Sequence, residues 1–272
     1  MDEVDQLLER VRRETHGKLP LNVYRRIYET AARHDGTFVE IGTSQGAATI
    51  AMALGAQAAG QNFHIFTCDP FITGSHPRGD SIEAKIHILQ CGFERFGVAD
   101  SITIVAGTVA ELLAVADPRA IGLLMLDADG RIDRDLAALH ARLASDCAII
   151  VDDVEDRIYV HPTWRGLRIQ QKHRLSHLLV DAYVRHGLLD RREALGQTGW
   201  YAMGPARLPA EEIEHLALGA YRQLVMTTVT LRDATLKWRL YQWFDRHMPL
   251  LLRAYKFARR REPEIETQSR FD

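Results

Sequence analysis

Two periodicities divide the chain. Over residues 2–13 and 21–34 the apolar positions recur at helical steps, as Leu7, Leu8 and Val11 and then Val23, Ile27 and Ala31. From Thr37 the pattern changes to short apolar runs separated by helical segments. The runs 37–41, 63–68, 102–105, 121–126 and 148–151 predict strands, and 46–59, 80–97, 108–116 and 133–144 predict the helices between them. Strands alternating with helices imply an α/β fold, a doubly wound and mostly parallel sheet covered on both faces. Right-handed crossovers keep successive helices on one face until the strand order reverses, and ligands bind at the strands' carboxyl ends beside that point.

After Asp153 the pattern changes again. The spacing predicts a helix over 164–186. Two runs follow, 188–194 and 200–203, joined by Gly196-Gln197-Thr198-Gly199 and so read as a hairpin. A mostly helical segment covers 210–261, and the tail from Glu262 reads as frayed. The expected organisation is N-terminal helices over 1–35, a ligand-binding domain over 36–206 and a helical C-terminal extension over 207–272.

Composition narrows the functional classes. Of 272 residues, 46% are hydrophobic and 26% charged, which fits a soluble globular chain. The net charge of −2 gives no reason to expect a nucleic-acid partner. Cys68, Cys91 and Cys147 lack metal-ligand spacing, and no apolar signal core or membrane-length run is visible, so a cytoplasmic setting is expected. The charge is uneven, however. Residues 231–261 hold nine Lys/Arg against Asp233 and Asp245, a net of +7. Trp238, Tyr241, Met248, Leu252 and Tyr255 recur there at helical steps beside Phe244, with a bend expected at Pro249. This segment suits packing on the domain or a homodimer partner, or else peripheral contact with an anionic membrane.

Candidate chemistry begins at Glu40-Ile41-Gly42-Thr43-Ser44-Gln45-Gly46, a strand running through a glycine-bearing turn into a helix. Gly42 and Gly46 let a ligand lie against the backbone, and the helix offers free N–H groups to a carboxylate. A dinucleotide fingerprint would need two further glycines where Ser44 and Ala47 stand. Glu40-x-Gly-x-x-x-Gly instead resembles the first motif of class I S-adenosylmethionine-dependent methyltransferases. That resemblance implies a Rossmann-like seven-stranded sheet and makes Glu40, Gly42, Thr43, Ser44 and Gly46 the seat of the cofactor's methionine part. Asp69, which ends the second strand, can accept hydrogen bonds from both ribose hydroxyls. Thr108 stands near the adenine position, where the family often carries Asp.

Two acidic motifs end the fourth and fifth strands: Leu126-Asp127-Ala128-Asp129 and Val151-Asp152-Asp153. Neighbouring strand ends should bring Asp127, Asp152 and Asp153 together, where mutual repulsion favours a hard cation. The pattern resembles the metal-dependent O-methyltransferases of the catechol type and of the macrocin and mycinamicin sugar type. The resemblance spans residues 36–204. It implies Mg²⁺, or another divalent cation, on those three aspartates, and a small-molecule acceptor with neighbouring hydroxyls, such as a sugar. The catechol type places its base, a lysine, three residues after the first ligand; Gly130 holds that place here. The base is therefore open, with Asp127 and His161 the catalytic candidates and His76 in a loop suited to a lid. A nicotinamide-dependent oxidoreductase and a non-catalytic binding protein of the same fold are the alternatives.

Overall fold

The computed structural model of the chain describes residues 2–71, 81–163, 166–231, 243–244, 246–251 and 267–271. Helices α1 (Glu3–Glu14) and α2 (Leu21–Ala31) come first. Then β1 (Gly36–Ile41), β2 (Phe63–Asp69), β3 (Ile102–Ala106), β4 (Ile121–Leu126) and β5 (Leu143–Val151) alternate with α3 (Ala47–Ala58), α4 (Ile82–Arg95), α5 (Val109–Val115) and α6 (Ile132–Leu139). A short antiparallel pair follows, β6 (Tyr159–Thr163) with β7 (Gly166–Gln170). Next come α7 (Lys172–Arg185), β8 (Leu189–Leu195), β9 (Thr198–Met203) and α8 (Ala210–Val225); β10 (Thr227–Leu231) pairs with β11 (Thr267–Phe271).

Seven strands form one sheet in the order β3-β2-β1-β4-β5-β9-β8. The first five are parallel, and the β8–β9 hairpin adds two antiparallel strands at the β5 edge. The order reverses between β1 and β4, so the ligand crevice belongs at their carboxyl ends. Alternate residues feed two cores. Phe38, Ile65, Leu123, Met125 and Ile150 face α1–α4, while Val39, Ile41, Leu124, Leu126, Ile149 and Val151 face α5–α8. Burial on both sides is why these strands read as continuous apolar runs. Helix α3 is buried along most of its length because α2 lies over it. The turn before α2 reaches the start of α3: a Cβ at Gly17 would lie 2.9 Å from the Cβ of Ala47. Trp200 on β9 donates its indole N–H to the Thr30 hydroxyl at 3.1 Å, tying α2 to the antiparallel end of the sheet.

Three expectations need correction. The helix predicted over 164–186 begins at Lys172, and the preceding residues form the β6–β7 hairpin. Pro162 and Gly166, both poor helix residues, sit in that hairpin. The helix predicted to 144 ends at Leu139, and β5 takes up the chain from Leu143. The segment 210–261 is helical through Val225 but turns to strand at Thr227, where β-branched residues gather.

Candidate active site

The sheet's carboxyl edge is extended by one hydrogen bond per strand. Gly107 N donates to Asp69 O, Gly42 N to Cys68 O, Asp127 N to Ile41 O and Asp152 N to Leu126 O, all at 2.8–3.0 Å. This ladder lines up the β1 turn, Asp69, Asp127 and Asp152 along one rim. Three residues of the turn adopt left-handed backbone: Gly42 (φ 103°), Ser44 (φ 49°) and Gly46 (φ 79°). Asp69 braces the turn. One of its carboxylate oxygens accepts from Ser44 N at 3.0 Å and the other from Phe71 N at 2.7 Å.

The two glycines have protein-internal reasons as well as ligand-related ones. A Cβ at Gly42 would fall 2.0 Å from the carbonyl oxygen of Asp127, and one at Gly46 would fall 2.8 Å from the Phe93 ring. Glu40 is 1% exposed, and its Oε2 accepts from the Thr49 and Thr67 hydroxyls at 2.5 Å each. Thr43 joins this network through Thr67 at 2.5 Å. Burial outweighs those hydrogen bonds and raises the Glu40 carboxyl to about 7. Glu40 thus pins β1, β2 and α3 together beneath the turn. Thr108 is the N-cap of α5, and Glu111 Oε2 accepts from both its hydroxyl and its amide at 2.6 Å.

Asp127, Asp152 and Asp153 come together as the strand ends implied, offering oxygens within 4.8 Å of one another. Asp153 takes a left-handed conformation (φ 57°), which Asp tolerates better than most residues. Each carboxylate already has a protein partner. Thr198 Oγ1 donates to Asp152 Oδ1 at 2.5 Å. His173 Nε2 lies 2.7 Å from Asp153 Oδ1. Lys172 Nζ lies 2.5 Å from Asp153 Oδ2 and 3.3 Å from Asp127 Oδ1.

Burial raises Asp127 to about 8 despite Lys172 beside it, with Asp152 and Asp153 adding repulsion. Asp152 is raised by burial and by Asp153. Asp153 goes the other way: its contacts with His173 and Lys172 overcome burial and hold it below the ordinary carboxylate range. Burial pushes the Lys172 ammonium down, but the surrounding carboxylates outweigh it and hold the group charged.

Lys172 and His173 were missed in the sequence. The helix expected over 164–186 places both residues in its interior, away from the strand ends. Starting α7 at Lys172 instead turns its first residues toward the strand ends. His173 is 8% exposed, and its ring lies tilted against that of Tyr159, with centroids 4.7 Å apart. A cation pair immediately after a Pro- and Gly-bearing stretch was the available signal. His161 falls on β6, but its side chain lies outside the described residues, as does all of His76.

The divalent ion implied by the aspartate pattern meets an obstacle in this arrangement. An ion bonded to these oxygens at ~2.1 Å would occupy the space where the Lys172 ammonium contacts Asp153 and Asp127. The donor set as arranged fits an ammonium.

Residues 39–154, running from β1 to the second acidic motif, match the family model described as a methyltransferase domain. Solved structures share the fold at low identity. Cofactor-bound Rv0187 from MTB is 16% identical, with a TM-score of 0.52, over 75% of this chain and 90% of that one. The O-methyltransferase TomG from Streptomyces achromogenes, in complex with SAM, is 14% identical, with a TM-score of 0.50, over 75% and 91%. The SAH-bound methyltransferase PaMTH1 from Podospora anserina is 14% identical, with a TM-score of 0.52, over 76% and 89%. No curated protein matches the chain in sequence. The topology and the turn after β1 agree with a methyltransferase domain over residues 39–154. Among the described residues, no helix is long and apolar enough to cross a membrane.

Proposed function

We propose that the protein methylates a hydroxyl oxygen of a small molecule held against Asp127, Asp152 and Asp153. The observation that carries this reading is the shared rim. The turn after β1, Asp69 and the three aspartates stand at neighbouring strand ends, so a cofactor on the turn and an acceptor on the aspartates would be side by side. S-adenosylmethionine supplies an electrophilic methyl: the acceptor oxygen forms the new C–O bond, the C–S bond breaks and the hydroxyl proton leaves.

The chain's residues have separate tasks in this reading. Loop 40–46 and the start of α3 seat the methionine part, Asp69 takes the ribose hydroxyls and Thr108 lies toward the base. Asp127, raised to about 8 by burial, exchanges a proton near neutrality and can take the one released. His161 is the other candidate base. Neighbouring hydroxyls, as on a sugar, suit a site where one oxygen meets a cation and the other a carboxylate. That cation is either a divalent ion, as the aspartate pattern implies, or the ammonium of Lys172; the ion pairs of Lys172 favour the second.

Titration calorimetry with S-adenosylmethionine, S-adenosylhomocysteine and NAD⁺ tests the cofactor, and a labelled-methyl screen against hydroxylated small molecules tests the acceptor. Binding of the first two ligands and not the third is expected. Binding of NAD⁺ alone would revive the oxidoreductase alternative.

A further inference from the structure

We propose that Lys172 is the resident cation of the three-aspartate site, standing in place of a divalent metal and facing the acceptor oxygen. The inference rests on the transferase reading above and gives its acceptor side a specific group. An ammonium has three N–H donors. Two are directed at Asp153 Oδ2 and Asp127 Oδ1, at 2.5 and 3.3 Å, which leaves one for a ligand oxygen.

The two ion pairs hold the ammonium against the positive potential at the N-terminus of α7, whose first residue is Lys172. Its side chain is 20% exposed, and its stem crosses Gly130. A Cβ at Gly130 would come within 3.0 Å of the Lys172 Cγ and 3.3 Å of its carbonyl oxygen. The glycine standing at the position three residues after Asp127 is thus the space through which a lysine from another element arrives. Finally, Asp153 and Asp152 are each fixed by a second contact, from His173 and Thr198 respectively. Neither is then free to turn away and build a different coordination sphere.

Charge makes the two occupants mutually exclusive. A divalent ion and an ammonium within bonding distance of the same Asp153 oxygen would repel strongly in a site with little water. Metal entry would require Lys172 to leave and abandon both of its ion pairs.

Mn²⁺ serves as the probe, with free ion counted by electron paramagnetic resonance after the full-length chain has been stripped with chelator. The wild type should show no stoichiometric site below about 1 mM, a bound set for weak oxygen-ligand sites. Lys172→Ala vacates the space and should gain one site per chain, roughly tenfold or more tighter than any wild-type binding. Asp152→Asn in that background should remove it. One Mn²⁺ bound per wild-type chain below about 1 mM, lost on Asp152→Asn, would overturn the proposal, as would a folded Lys172→Ala protein with no gain. If the alanine variant does not fold, the wild-type measurement alone decides. Binding of S-adenosylmethionine, measured separately, is independent of all these outcomes, so a failure of the transferase reading is told apart from a failure of this one.

Discussion

The backbone carbonyl of Asp127 closes over the α-carbon of Gly42 so tightly that a Cβ there would lie 2.0 Å from the oxygen. The turn proposed to seat the cofactor and the strand end that bears the first aspartate are therefore one packed unit. Gly42→Ala should destabilise the fold by about 1–3 kcal/mol, the usual cost of overpacking, as well as weaken cofactor binding. Urea denaturation of the free protein checks this. Unchanged stability with lost cofactor binding would mean that the glycine serves the ligand alone.

Asp69→Ala should weaken S-adenosylmethionine by about 1.5–3 kcal/mol, the range for hydrogen bonds to a charged group. The carboxylate both faces the proposed ribose and holds Ser44 N and Phe71 N. Asp69→Asn keeps the shape and one acceptor oxygen, so calorimetry should place it between the wild type and the alanine variant. Wild-type affinity in both would remove Asp69 from the site.

Glu40 gives a pH signature. Its carboxyl rises from 4.5 to about 7 on folding, mainly through burial, so the folded state favours the protonated form. The resulting stability is complete below about pH 4.5 and is lost as pH rises through about 7. Glu40→Gln cannot ionise. Between those limits its stability relative to wild type should improve by on the order of 3 kcal/mol. Asp127 titrates in the same region in both proteins, and the difference between them cancels it. Parallel stability–pH curves would contradict the raised value.

Trp200→Phe should cost about 1–3 kcal/mol in denaturant melts. The change deletes the indole N–H that meets the Thr30 hydroxyl, and both residues are buried. A neutral result would mean that the contact adds nothing beyond ring packing.

The parallel half of the fold was legible because its chemistry is monotonous. Strands such as Ile121–Leu126, buried at every residue, leave no polar position to confuse the reading. The aspartates at their ends were legible because a carboxylate directly after such a run has only the sheet edge to occupy. What followed Val151 was harder. Residues 164–186 keep enough apolar positions at helical steps to hide a hairpin, and tertiary pairing overrode that periodicity. Losing the true start of α7 meant losing Lys172 and His173, since a residue's place in the first turn, rather than its type, brings it to the site. Gly42 was legible as a necessary glycine, but the obstructing group turned out to be the Asp127 carbonyl as well as any ligand. The Glu40 carboxyl, expected beside the cofactor, is sealed beneath the turn by Thr49 and Thr67.

The bond between Trp200 and Thr30 joins residues 170 positions apart. During synthesis the N-terminal helices leave the ribosome first, yet this hydrogen bond waits for β9, which must insert between β5 and β8. A nascent chain ending short of Trp200 can already pack α2 on α3 but lacks this tie across the chain.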